Sequence, residues 1–289
     1  MKVVLSPNPY RDNGLKTTLA ARDILAGAGI ETVFALPFSA GSSRKREESH
    51  HGIAFRNLDE VLAGADMLIC LGGDGTLLHA AKHAVRHQIP ILGINIGSVG
   101  FMTELERGDL KLLPRLAAGD YRIEARMMLD VSVRRGGQVL YHGLALNDAV
   151  ITKGAVARVI DLSVSGDGVL ISEFSGDGVI VCTPTGSTGY SMSAGGPIVE
   201  PTAENIIVTP ICAHSLQAKS MVLDRNRTVC VRTDHQNHKT AYLSVDGGKA
   251  FRLCGGDRVE IFRSAAYTSL ARLTEKSFYR IVHQKLGKV

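Results

Sequence analysis

Apolar and polar positions follow two different rhythms along this chain. Up to about residue 122, unbroken apolar runs alternate with segments of helical spacing. Lys2-Val3-Val4-Leu5 reads as a buried strand. Leu15, Leu19, Ile24 and Leu25 then mark one face of a helix over residues 15–28, ending near Gly27 and Gly29. Thr32-Val33-Phe34-Ala35-Leu36 reads as a second strand, and residues 58–63 as a short helix. Met67-Leu68-Ile69-Cys70-Leu71 is a third strand, followed by helical spacing at Leu77, Leu78, Ala81, Ala84 and Val85. Ile91-Leu92-Gly93-Ile94-Asn95, entered through Pro90, is a fourth, and residues 109–118 form a helix interrupted or begun late by Pro114. These strands lack two-fold alternation. Strands buried on both faces behave so, which predicts a mostly parallel sheet covered by helices.

Beyond residue 122 strand-like runs succeed one another with short turns. They include Leu129-Asp130-Val131-Ser132-Val133, Val159-Ile160-Asp161-Leu162-Ser163-Val164, Val179-Ile180-Val181, Ala241-Tyr242-Leu243-Ser244-Val245 and Val259-Glu260-Ile261-Phe262. Several alternate, as half-buried antiparallel strands do. Phe278, Ile281, Val282 and Leu286 restore helical spacing at the end. The predicted fold is therefore an α/β N-terminal domain with a mostly parallel sheet, followed by an all-β sandwich. The expected boundaries are 1–122, completed by about 266–289 through a C-terminal helix returning to the first domain, and 123–265.

Composition narrows the function classes. With 289 residues and 45% apolar content, the chain can bury a sizeable core. No apolar run approaches the roughly 18–20 residues of a membrane span, and Met1 to Pro7 reads as a strand rather than a secretory signal. Five scattered cysteines without a Cys-x-x-Cys pair suit buried thiols in a reducing, cytoplasmic setting. The net charge of +5 is mild. Arg44-Lys45-Arg46 is followed at once by Glu47 and Glu48, with no interleaved aromatics, and reads as part of an exposed loop over residues 39–52 rather than a nucleic-acid surface. His50-His51 has no acid or cysteine ligand at suitable spacing, so no metal site is assigned. A diffuse positive field suits an anionic small substrate such as a nucleotide.

Four stretches carry candidate chemistry. In Leu71-Gly72-Gly73-Asp74-Gly75-Thr76 a strand meets a helix through glycines, which makes a natural anion site. Asp74 there either caps the helix or does chemistry beside a phosphate. Gly97-Ser98-Val99-Gly100-Phe101 closes the next strand, so both turns lie at carboxyl ends and flank one crevice. Residues 183–197 are crowded with hydroxyls and glycines and hold no charge; a surface loop or contact with a polar, planar ligand both fit, with Tyr190 offering a stacking face. Asn147-Asp148, inside an apolar stretch, is either a turn or a recognition pair for a ribose diol. Ser165-Gly166-Asp167-Gly168 and Ser175-Gly176-Asp177-Gly178 nearly repeat. The first has the size of a hairpin turn and is assigned no function.

Taken in order, these elements, together with Ser244-Val245-Asp246-Gly247, resemble those of NAD kinases over almost the whole chain. The Gly-Gly-Asp-Gly-Thr motif is shared with diacylglycerol and sphingosine kinases; the hydroxyl-rich segment following Gly-Asp-Gly is more specific. The resemblance implies phosphorylation of the 2′-hydroxyl of the adenosine ribose of NAD, giving NADP. The donor it implies is ATP or polyphosphate, with a divalent metal such as Mg²⁺ and no dedicated protein ligand cluster. It implies Asp74 as general base, with Gly72, Gly73, Gly75 and Thr76 shaping the phosphate-facing turn. It places Asn147 and Asp148 on the adenosine side of NAD, with Asp148 on the ribose hydroxyls, Asp177 on the nicotinamide amide and Thr188 on adenine. Tyr190 and Ser193 line the ribose and phosphate region, with Phe101 near the cleft, and Thr185 and Gly189 belong to the same substrate-binding set. It also implies a homodimer or homotetramer. Three positions depart from the family pattern: Asp148 stands where Glu is usual, Gly189 where Ala is usual and Gly248 where Gln is common. A lipid kinase of the diacylglycerol type and a non-catalytic NAD(P)-binding sensor are the competing readings.

Overall fold

The computed structural model describes residues 1–36, 53–97, 100–154, 158–233 and 240–287, with the backbone alone at 48–50. Arg44-Lys45-Arg46, the side chains of His50-His51, and Ser98 and Val99 lie outside the described residues. The chain divides into two compact units, Met1–Ala125 with Thr268–Val289, and Arg126–Tyr267.

In the first unit four parallel strands pair in the order Glu31–Phe34, Lys2–Pro7, Met67–Gly72 and Ile91–Asn95. Val3, Leu5, Ile69, Leu71, Leu92 and Ile94 fill one apolar cluster with Ala21 and Leu25 of the helix Lys16–Gly27. Met67–Gly72 is buried at every position, which is why its sequence shows no alternation. Leu270 adds a further parallel pairing, to Ile91. Residues Arg107–Leu116 form a 3₁₀ helix rather than an α-helix, with Pro114 inside it. Pro114 has no N–H to donate in either helical pattern, so it interrupts the regular ladder of this segment.

The second unit is antiparallel. One sheet runs Met221–Asp224, Asn205–Ile211, Gly178–Cys182, Asp148–Lys153, Ala241–Val245 and Phe251–Leu253. Facing it are Val169–Gly176, Ile160–Gly166 and Val229–Thr233, joined by the Arg258–Arg272 strand as far as Tyr267. Alternate residues such as Leu162, Val164, Val179, Val181, Val229 and Val231 meet in one core, the hallmark of a sandwich. The Asp167-Gly168 hairpin turn has positive φ at both residues (50° and 83°), as a tight hairpin of this hand requires.

Candidate active site

The first unit builds its part of the site where Met67–Gly72 ends and the helix Asp74–His87 begins. Gly73 is the N-cap, with extended backbone and no side chain capping the helix. Asp74 does not cap. Its carboxylate turns to the neighbouring loop, accepting the Phe101 N–H at 2.7 Å and the Met102 N–H at 3.0 Å. Two fixed donors hold the acid in one orientation and leave the helix N-terminus without a side-chain anion. Gly100 makes this possible: a Cβ there would stand 2.3 Å from Asp74 Oδ1 and 2.5 Å from Thr103 Oγ1. Gly72 has a similar reason to be glycine, because a Cβ would stand 2.3 Å from Thr76 Oγ1. Thr76 is buried and accepts a hydrogen bond from Asn8 Nδ2 at 3.2 Å. Gly75 has nothing within 4 Å of its missing side chain.

The loop that holds Asp74 is itself held. Arg272 Nη1 donates to the Met102 carbonyl at 3.0 Å. The buried Glu104 carboxylate accepts the N–H groups of Leu273 and Thr274 and the Thr274 hydroxyl. The Phe101 ring lies 6.4 Å from that of Phe278, and Lys285 Nζ lies 4.2 Å from its centroid. A cavity of about 400 Å³ opens here, lined by Gly100, Thr103, Glu106, Thr274, Lys276 and Arg280.

In the second unit the Asn147-Asp148 turn is organised by Asp246. Its buried carboxylate accepts three successive backbone N–H groups, from Leu146, Asn147 and Asp148, at 2.8–3.0 Å. The hydroxyl-rich segment packs directly against this turn. Thr183 donates its backbone N–H to the Asn147 carbonyl at 2.9 Å and its hydroxyl to the Leu146 carbonyl at 2.6 Å. A Cβ on Gly186 would stand 2.2 Å from the Asn147 carbonyl. Many of the hydroxyls are turned inward. Ser187 bonds the Pro184 and Val199 carbonyls, Ser191 pairs with Thr209, and Thr185 accepts from the buried Arg126 at 3.1 Å. Thr188 Oγ1 donates to the Thr185 carbonyl at 3.3 Å, and Tyr190 and Ser193 stand exposed. Asp177 is half-buried and paired with Lys153 Nζ at 2.6 Å. Its flanking Gly176 and Gly178 allow the neighbouring strands to close in, since a Cβ at Gly178 would stand 2.2 Å from the Ile151 carbonyl. Beside Asp148, burial pushes the Cys182 thiol up to about 12.

An ATP-NAD kinase N-terminal domain model matches residues 23–121, and an ATP-NAD kinase C-terminal domain model matches residues 146–273. An NAD kinase of Ruminiclostridium cellulolyticum is 35% identical over 99% of this chain and 97% of its own length. The chain belongs to the NAD kinase family. An NAD kinase of Symbiobacterium thermophilum is 46% identical over 77% of this chain and 78% of its own. The NAD kinase of Archaeoglobus fulgidus, solved in complex with ATP, superposes with a TM-score of 0.76 at 26% identity, over the whole of both chains. Yeast NADH kinase, solved with NADH, shares the fold with a TM-score of 0.84 at 23% identity, over 100% of this chain and 88% of its own.

Within this NAD kinase fold, no group of three or more His, Cys, Asp or Glu side chains among the described residues is placed to hold a metal ion. Two structural features lie outside the sequence pattern. Asp246 was visible only as part of a motif, without the three N–H groups it gathers. Arg11 was not singled out; its Nη1 lies 3.7 Å from where a Cβ on Gly73 would stand and 2.6 Å from that of Gly97.

Proposed function

We propose that this chain phosphorylates the 2′-hydroxyl of the adenosine ribose of NAD, with ATP as donor, to give NADP. Phosphorylation of NAD follows from the family. The position on the ribose and the role of each residue are our reading of the geometry. The observation that carries it is Asp74: an acid at an uncapped helix N-terminus, fixed by two N–H donors of a second loop. In the step, the ribose oxygen forms a bond to the γ-phosphorus while the bond from that phosphorus to the departing ADP oxygen breaks. The hydroxyl proton passes to the Asp74 carboxylate. Phosphoryl transfer has a loose transition state, so placement outweighs early deprotonation, and a carboxylate suffices as the acceptor.

Gly72, Gly73, Gly75 and Thr76 shape the turn that receives phosphate; the open space at Gly75 supports this. Asn147 and Asp148 hold the adenosine ribose, on the turn fixed by Asp246. Thr188, Gly189, Tyr190 and Ser193 meet the nucleotide, and Tyr190 and Ser193 are exposed for it. Thr185 acts through its bond to Arg126. Asp177, steadied by Lys153, takes the nicotinamide amide. Phe101 borders the Asp74 carboxylate. A divalent metal carried by ATP, a cytoplasmic setting supported by five unpaired cysteines, and a homodimer or homotetramer complete the reading.

The test is incubation with NAD, ATP and Mg²⁺, followed by an NADP-specific dehydrogenase. Wild type gives NADP. Asp74→Asn retains NAD binding and loses about 10²–10⁴-fold in turnover, the range for a general base. Its amide also faces one N–H with an NH₂, costing about 1–3 kcal/mol of stability. Near-normal turnover in that variant would remove Asp74 from the role. Tight NAD binding without any NADP would indicate a sensor instead.

A further inference from the structure

The turn after the strand Lys2–Pro7 is built to aim Arg11. Asn8 N–H donates to the Leu71 carbonyl at 2.8 Å, which ties the turn to the strand that ends at Gly72. The Asn8 carbonyl accepts the N–H groups of Arg11 and Asp12, and its side chain receives the Tyr10 N–H and donates to Thr76. Asp12 is buried and fully engaged, accepting from the Thr17 and Thr18 N–H groups and the Thr18 hydroxyl, so it does not pair with its neighbour. The Arg11 guanidinium lies against Gly73 and Gly97. A Cβ on Gly97 would be only 2.6 Å from Nη1, so that glycine leaves the space the guanidinium occupies. Among the described residues no carboxylate forms an ion pair with Arg11. An exposed arginine usually extends into solvent. This one lies against Gly97 and against Gly73, the N-cap of a helix without a side-chain cap.

We infer that Arg11 grips the terminal phosphates of the phosphoryl donor and stabilises the charge that develops as the γ-phosphoryl leaves. The guanidinium presents several donors in one plane and matches phosphate oxygens better than an ammonium does. The grip is on phosphate oxygens alone, so a polyphosphate chain and ATP are held alike. The inference rests on the kinase reading above and adds a residue that touches the donor rather than NAD.

The test compares wild type, Arg11→Ala and Arg11→Lys with ATP and with inorganic polyphosphate as donors, alongside NAD binding and thermal unfolding. A wild type without NAD phosphorylation defeats the kinase reading itself. With an active wild type, Arg11→Ala is expected to lose about 10²–10³-fold in kcat, by analogy with other stabilisers of transferring phosphoryl groups. NAD affinity and unfolding temperature stay within error, Arg11→Lys recovers only part of the rate, and added guanidinium ion at millimolar concentration raises the rate of Arg11→Ala. Wild-type kcat in Arg11→Ala overturns the inference. So does a loss that guanidinium does not relieve and that follows a fall in NAD affinity or unfolding temperature, since that is the behaviour of a structural residue.

Discussion

Replacing Gly100 by alanine tests the geometry of Asp74 without touching its chemistry. The added methyl would stand 2.3 Å from Asp74 Oδ1, where ordinary contact begins at 3.4 Å. About 1 Å of separation must therefore be found. Thr103 Oγ1, at 2.5 Å on the same methyl, blocks an easy rotation away. If the carboxylate yields, it leaves the Phe101 and Met102 N–H groups; if the loop yields, it carries those donors off. Either way the acid loses the pair that orients it. A displacement of about 1 Å in a reacting group costs on the order of 10²-fold, and charge-assisted hydrogen bonds contribute about 1.5–3 kcal/mol each. We expect Gly100→Ala to reduce kcat about 10²-fold in the NADP-coupled assay, with the KM for NAD changed less than threefold. Loss of both bonds, about 3–6 kcal/mol together, should also lower the unfolding temperature by about 10 °C or more. A kcat within threefold of wild type would refute the argument that these two N–H donors make Asp74 competent.

Asp246→Ala strips acceptors from three backbone N–H groups in a buried turn. At about 1–3 kcal/mol for each unsatisfied donor, denaturant unfolding should show a loss of at least about 3 kcal/mol, with hydrogen exchange quickened at residues 146–148; a loss below about 1 kcal/mol would contradict the role. Thiol reactivity offers an independent check of burial. At pH 8 Cys212 and Cys254, which are exposed, should react with a disulfide reagent at once and Cys230 more slowly. Cys70, buried and pushed well above the usual thiol range, and Cys182, raised to about 12, should react only on unfolding, because the thiolate is the nucleophile.

The fold class was legible because burial writes itself into spacing. Met67–Gly72 is apolar at every position because both of its faces are covered, while Ile160–Gly166 alternates because only one faces the sandwich core. The 3₁₀ helix at Arg107–Leu116 was legible as helical, but its type was not, since the apolar spacing over so short a span fits both. The site was legible in residue types and not in their engagements. Asp74 could be read as cap or catalyst, because its donors lie 27 and 28 residues away. Asp246 is separated from its N–H partners by 98 to 100 residues. The segment after Cys182 is unusual in lacking charge, yet composition does not tell an inward hydroxyl such as Ser187 from an exposed one such as Ser193. Arg11 is not legible for a related reason: a lone cation in a turn looks like any surface residue until its side chain is placed.

The brace on Met102 has a consequence for how the protein is made. Arg272 reaches the Met102 carbonyl across 170 residues of chain, and Glu104 awaits Leu273 and Thr274 across a similar distance. A ribosome that has released the glycine turn and the acid still has the entire second unit to synthesise before these partners exist. Closing so long a loop is costly for an unfolded intervening segment, and much less so once residues 126–267 have folded into a compact body that shortens the span. The order of translation thus delays assembly of the loop around Asp74, so that a nascent chain stalled within the second unit carries the acid without the support that aims it.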